Sequence, residues 1–109
     1  MRLPNRYKAY VPREKLSGDL LSRSHAVGKS KARFFRAHGY DEETADHLAR
    51  DRLNVAHQNE VVEVAESPHD ATYVVEGTLR TPRGTTVSVR TVWIVASEDA
   101  PRFVTAYPR

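Results

Sequence analysis

A histidine, a glycine and four cations fall within twelve residues of this chain: His25, Gly28, Lys29, Lys31, Arg33 and Arg36. An imidazole takes or gives a proton near neutral pH, and ammonium and guanidinium groups neutralise phosphoryl oxygens. Residues of these types, so close together, suit proton transfer beside a bound anion. Turning each residue by the helical 100° places His25, Lys29, Arg33 and Arg36 on one polar stripe, and Val27, Gly28, Ala32, Phe34 and Phe35 on an apolar side. Lys31 falls inside the apolar arc. Either its stem lies along the core while its ammonium reaches water, or the helix floors a cleft and Lys31 points into it toward an anion. His25 stands at the mouth of the same helix, where free N–H groups and the dipole favour phosphate and Gly28 permits close approach. The competing role for His25 is that of a capping or surface residue. His38, His47, His57 and His69 have no comparable context and are read as surface residues.

A second set of polar side chains interrupts apolar alternation near the C-terminus. Arg90 shares a face with Val92 and Ile94, and Thr105 shares one with Tyr107. A guanidinium fork with two hydroxyls suits a phosphoryl group, although Phe103, Thr105 and Tyr107 also read as ordinary half-buried strand residues. There is no Walker loop, dinucleotide fingerprint, zinc-protease helix or calcium loop, and no nucleophile elbow. The acids of the middle segment lack ligand spacing, so neither a metal site nor a cofactor is expected.

The elements that must carry these residues follow from period and punctuation. Tyr7–Val11 alternates as a short strand, and Pro12 opens a short helix with Leu16, Leu20 and Leu21 on its stripe. A second helix covers about Ala26–Ala37 and is stopped by Gly39. A third, capped by Asp41 with Glu42 and Glu43 in its first turn, carries Ala45, Leu48, Ala49, Arg52 and Leu53 at helical spacing and fades near Gln58 and Asn59. From there the period is two: strands at Glu60–Ala65, Thr72–Leu79, Thr86–Val95 and Phe103–Tyr107, with turns at Thr81–Gly84 and Ser97–Pro101. Val87, Val89, Thr91, Trp93 and Val95 share one face. Helices followed by strands make an α+β fold, in which N-terminal helices pack on an antiparallel sheet of four strands (three to five).

The 109 residues fit a single domain, 1–109. No apolar run approaches the roughly 20 residues of a membrane span, and the N-terminus lacks the apolar stretch of a signal peptide. Cysteine is absent, which removes disulfides and thiolate metal sites. The net charge of +3 conceals segregation: residues 1–40 hold ten Lys and Arg against two acids, residues 41–76 hold two against ten, and residues 77–109 five against two. Such a chain can turn a basic face to phosphates, or its charges can interleave once folded.

The pattern of His25, Gly28, Lys31, Ala32, Phe34 and Phe35, preceded by Val11, Pro12, Glu14, Lys15 and Leu16, resembles an uncharacterised bacterial domain that accompanies polymorphic toxins and toxin–antitoxin pairs. The strands Tyr73–Leu79 and Arg90–Ile94 and the ending Phe103–Pro108 extend the likeness over most of the chain except about 41–70. More distantly, the helix-then-sheet order and the final strand are similar to the small ribonuclease toxins related in fold to barnase, colicins D and E5 and the RelE toxins. That resemblance implies metal-independent cleavage of RNA by its own 2′-hydroxyl. It makes His25 a general base or acid, Lys31 the stabiliser of the phosphorane, Arg90 a phosphate ligand, and Thr105 and Tyr107 its orienting hydroxyls. RNA contacts are expected from Arg23, Lys29, Arg33 and Arg36. The implied partners are RNA and a cognate acidic antitoxin or immunity protein. The implied site of action is the cytoplasm, reached by a stand-alone chain or by the C-terminal part of a secreted effector. This chain departs from that group in having no second well-placed histidine, so Lys31 or Tyr107 must share the proton transfers. The alternatives are a non-catalytic module binding nucleic acid or protein, a toxin with another target such as a nucleotide, and an immunity or structural subunit.

Overall fold

The hydrophobic period changes from helical to alternating near residue 59, and the chain changes from helices to strands at the same place. The computed structural model describes residues 1–16, 26–97 and 99–109, and all of their side chains except those of 26–31 and 42. Leu20, Leu21, Arg23 and His25 lie outside the described residues, so the expectations placed on them do too.

Helix α1 spans Ala26–Ala37. It ends as Gly39 predicts: φ there is +94°, the Gly39 N–H donates to Arg36 O (3.0 Å) and the Tyr40 N–H to Phe35 O (3.0 Å). This is the paired-bond stop that a left-handed residue allows, and the rings of Phe35 and Tyr40 meet across it at 6.0 Å. Asp41 then accepts from the N–H groups of Glu43 and Thr44 while Thr44 Oγ1 accepts from the Asp41 N–H, a reciprocal cap. The capped turn, Glu42–Thr44, is a 3-10 turn, and helix α2, Ala45–Gln58, continues from it. Leu48, Asp51, Arg52, Val55 and Ala56 form its buried stripe. Arg52 is fully buried; its guanidinium lies 5.0 Å from the Phe35 ring centre and 4.5 Å from that of Phe103, a cation between two aromatic faces.

Four strands follow: β1 Val61–Glu66, β2 Asp70–Arg80, β3 Thr86–Ala96 and β4 Arg102–Pro108. They form one antiparallel sheet in sequence order. The β2–β3 ladder is regular from Asp70↔Ala96 to Arg80↔Thr86, closed by a turn in which Gly84 N–H bonds Thr81 O at 2.9 Å. The face holding Val75, Leu79, Val89, Thr91, Trp93, Phe103 and Ala106 is buried with Phe35, Leu48 and Val55 of the helices. Inside it, Trp93 Nε1 donates to Thr91 Oγ1 (2.9 Å), which donates to Val75 O (2.7 Å), so the polar side chains of Trp93 and Thr91 are satisfied. Gly77 lets α2 approach β2: a Cβ there would stand 2.7 Å from Asn59 Nδ2 and 3.1 Å from Val55 Cγ1.

The strand expected over Tyr7–Val11 does not form. Asn5 is left-handed (φ 55°) and starts a 3-10 turn at Arg6–Lys8, and Tyr7 is 73% exposed. Only Tyr10 pairs, in a parallel bridge to Arg102. Residue 13 does open the expected helical turn after Pro12, and Leu16 is buried. The first ten residues act as a strap. Met1 O accepts from Val61 N–H and Arg2 bridges Glu60, while Tyr10 exchanges bonds with Pro101 and Phe103. One end of the strap thus meets the start of β1 and the other the start of β4.

Candidate functional site

No described helix covers the opposite face of the sheet, and two β-bulges decide what stands on it. In β4, Trp93 pairs with Phe103 but Val92 pairs with Thr105, leaving Val104 as the extra residue. Unbroken alternation would place Thr105 and Tyr107 beside Phe103 in the core. The bulge turns both outward, the effect such an insertion has on every residue after it. Thr105 then sits opposite Val92, and Tyr107 directly opposite Arg90, within side-chain reach on one face. In β1 the register slips between Val61 and Glu63, which brings Glu63 onto this face as well.

Arg90 is the centre of the arrangement. Its Nη2 lies 3.1 Å from Glu63 Oε2. Its Nε is buried and has no hydrogen-bond partner among the described residues. Glu76 faces Arg90 from β2 and holds Arg109 at 2.9 Å. Glu63 is 64% exposed, and exposed pairs of this kind contribute about 0.2–1 kcal/mol, so an incoming phosphate can displace it from the guanidinium. The face therefore offers a cation with an unspent donor, a phenol 39% exposed, a threonine hydroxyl and an exchangeable carboxylate. Sequence reasoning singled out Arg90, Thr105 and Tyr107, and the structure brings these three together. It missed Glu63, Glu76 and Arg109, because their faces depend on a bulge or on cross-strand register.

The helix-borne candidates are placed less fully. Lys29 and Lys31 lie in α1, where only their backbone is described; Arg33 is exposed and Arg36 half-buried. Ala32 and Phe35 are buried, which fixes the inward side of this helix. His69 is exposed, as expected. His47 is not an idle surface residue: its Nε2 lies 3.0 Å from Asp51 Oδ2, one turn along α2. The same oxygen accepts the Tyr40 hydroxyl at 2.6 Å. Tyr40 is fully buried, and burial first, then the bond to Asp51, pushes its phenol far above the ordinary tyrosine range, with nearby Arg52 opposing. His38 meets Phe34 edge-on and His57 lies against Tyr7. Among the described residues no three His, Asp or Glu side chains gather as metal ligands, and no described helix is long and apolar enough to cross a membrane.

A family profile described as a domain of unknown function (DUF6883) matches residues 2–109, so the chain belongs to that family. No curated protein matches it in sequence. Among solved structures, it is similar to a chain of the contact-dependent growth inhibition toxin–immunity protein complex from Klebsiella pneumoniae 342. The TM-score is 0.74 at 18% identity, over 92% of this chain and 99% of that one. At that identity the likeness shows a shared fold: α+β, with helices packed on a four-stranded antiparallel sheet.

Proposed function

We propose that this member of the family is the toxin of a growth-inhibition pair and that it cleaves RNA without a metal ion, at the helix-free face of its sheet. The observation that carries the reading is the bulge-directed meeting of Arg90, Tyr107 and Thr105, with an Arg90 Nε that nothing described engages. The fold shared with a chain of a toxin–immunity complex supports the toxin assignment. The order of helices then antiparallel strands also suits the barnase and RelE kind of ribonuclease toxin.

RNA supplies its own nucleophile, so the protein has only to align it, move protons and neutralise charge. In the proposed step the 2′-oxygen bonds to phosphorus and loses its proton to Glu63, released from Arg90 by the arriving phosphate. The bond to the 5′-oxygen breaks, and His25 protonates that leaving oxygen. The products are a 2′,3′-cyclic phosphate and a 5′-hydroxyl end. Arg90 neutralises the phosphorane, while Thr105 and Tyr107 donate to its oxygens. Arg23, Lys29, Arg33 and Arg36 supply sequence-independent attraction to the strand. The reading includes an acidic immunity protein as partner and action in the cytoplasm, reached by delivery as the C-terminal part of an effector.

The test is incubation of the purified chain with RNA in the presence of a chelator. Cleavage leaving 2′,3′-cyclic phosphate is expected, with Arg90→Gln slower by about 100-fold or more, the usual cost of losing a transition-state donor. Induced expression should arrest growth in the wild type, but not in His25→Ala or Arg90→Gln. Intact RNA and healthy cells throughout would leave the chain a non-catalytic binding module.

A further inference from the structure

A separate groove of about 630 Å³ runs between α2 and the end of β2. Its α2 wall presents His47, Arg50, Asn54 and Gln58, and its other wall includes Thr78 and Arg80. Strand β1 pairs with β2 only from Ala71 to Val75, so the last turns of β2 form an open edge here. Thr81 spends both backbone groups on the hairpin side: its N–H on Thr85 O (2.8 Å) and its O on the Gly84 N–H (2.9 Å). Backbone direction alternates along an antiparallel strand, so Arg80 and Thr78 turn their N–H and C=O the other way, into the groove. Asp51 is the one acid among the described lining residues, and its Oδ2 is already shared by Tyr40 and His47. That carboxylate fixes the imidazole through Nε2 and leaves Nδ1 for a ligand.

We propose that this groove is a second nucleic-acid subsite, which holds backbone phosphates of a single strand through Arg50, Arg80 and the free N–H groups of the β2 edge, with His47 as a further polar contact. The walls favour this ligand over a protein strand. Apart from Pro82 and Gly84 every lining residue is polar or charged, so the groove lacks the apolar pockets that read alternate side chains of an added strand. Arg50 and Arg80 are exposed, which frees both guanidinium groups to track a phosphate backbone.

The inference rests on the reading of the chain as acting on RNA, so cleavage by the protein with Arg90 intact is scored separately. The binding test uses a 2′-O-methyl RNA ten-mer, which has no nucleophile to be cleaved, and the Arg90→Gln protein, so that the further loss on substituting the groove arginines reports the groove apart from the cleavage site. Adding Arg50→Gln and Arg80→Gln should weaken binding about tenfold and lower the slope of log affinity against log salt by about one to two. Amide signals of residues 78–84 should shift on titration into the Arg90→Gln protein alone. Unchanged affinity and slope in the triple variant would overturn the groove while leaving the cleavage site untouched. So would a triple variant that keeps RNA affinity but loses the immunity protein, which would make the groove a protein face. RNA cleaved by the wild type but not bound by the Arg90→Gln protein would also overturn the groove alone.

Discussion

Arg90 and Tyr40 show two opposite uses of a polar side chain in this protein. Arg90 keeps a donor unspent at a half-exposed position, whereas the Tyr40 hydroxyl is wholly committed to Asp51. Replacing Arg90 by Lys preserves the charge but not the planar fork, so cleavage by Arg90→Lys should fall between wild type and Arg90→Gln, as single-turnover rates would show. Tyr40→Phe removes one of two described bonds to a buried carboxylate and should cost about 1–3 kcal/mol in denaturant titration. The same pair sets an alkaline limit. Tyr40 stays protonated in the native state above the pH, about 10, at which an unfolded tyrosine ionises, so its contribution is complete below that pH and is lost as pH rises toward the native value. The stability of wild type should therefore fall above about pH 10, and Tyr40→Phe should flatten that decline.

At the scale of elements, the bulge in β4 decides what faces the solvent. Deleting Val104 would restore plain alternation while leaving Phe103 and Ala106 inward and Tyr107 opposite Arg90. That variant should stay folded and cleave RNA within about tenfold of wild type. Deleting Ala106 instead moves Tyr107 to the position opposite Thr91, inside the core, and should abolish cleavage and lower Tm; thermal melts with an RNA assay separate the two. The sequence shows neither bulge, because each is a property of a pair of strands and both flanking stretches read as good strand on their own. The helix ends were legible for the opposite reason. Gly39 and Asp41 act on bonds within five residues of themselves, so local chemistry was enough to place the end of α1 and the cap ahead of α2. His47 was read as a surface residue although Asp51 stands one turn along, because Tyr40, which makes their cluster buried, arrives through the turn after α1. Arg90, Thr105 and Tyr107 were found as residue types before anything indicated that they meet.

At the scale of the molecule, charge and connectivity divide the work. The cations of the first forty residues and the acids of α2 and β1 come from separate stretches of sequence; under the proposed function, binding of an anionic strand should weaken with salt. The strap of residues 1–10 shields parts of both outer strands, β1 and β4. Its removal should expose unpaired strand groups and produce self-association on size-exclusion chromatography together with a lower Tm. None of this strap was legible in the sequence, since its partners lie about 60 to 90 residues away and only two isolated bridges and a few backbone bonds record it. It also sets the order of assembly. Each hairpin of the sheet can close as soon as its two strands are available, but the loop from Tyr10 to Phe103 closes only when nearly the whole chain is present, and at the entropic cost of its length. A chain threaded through a pore or emerging from a ribosome thus passes most of its passage without a finished sheet, and completes its fold only after the last strand is out.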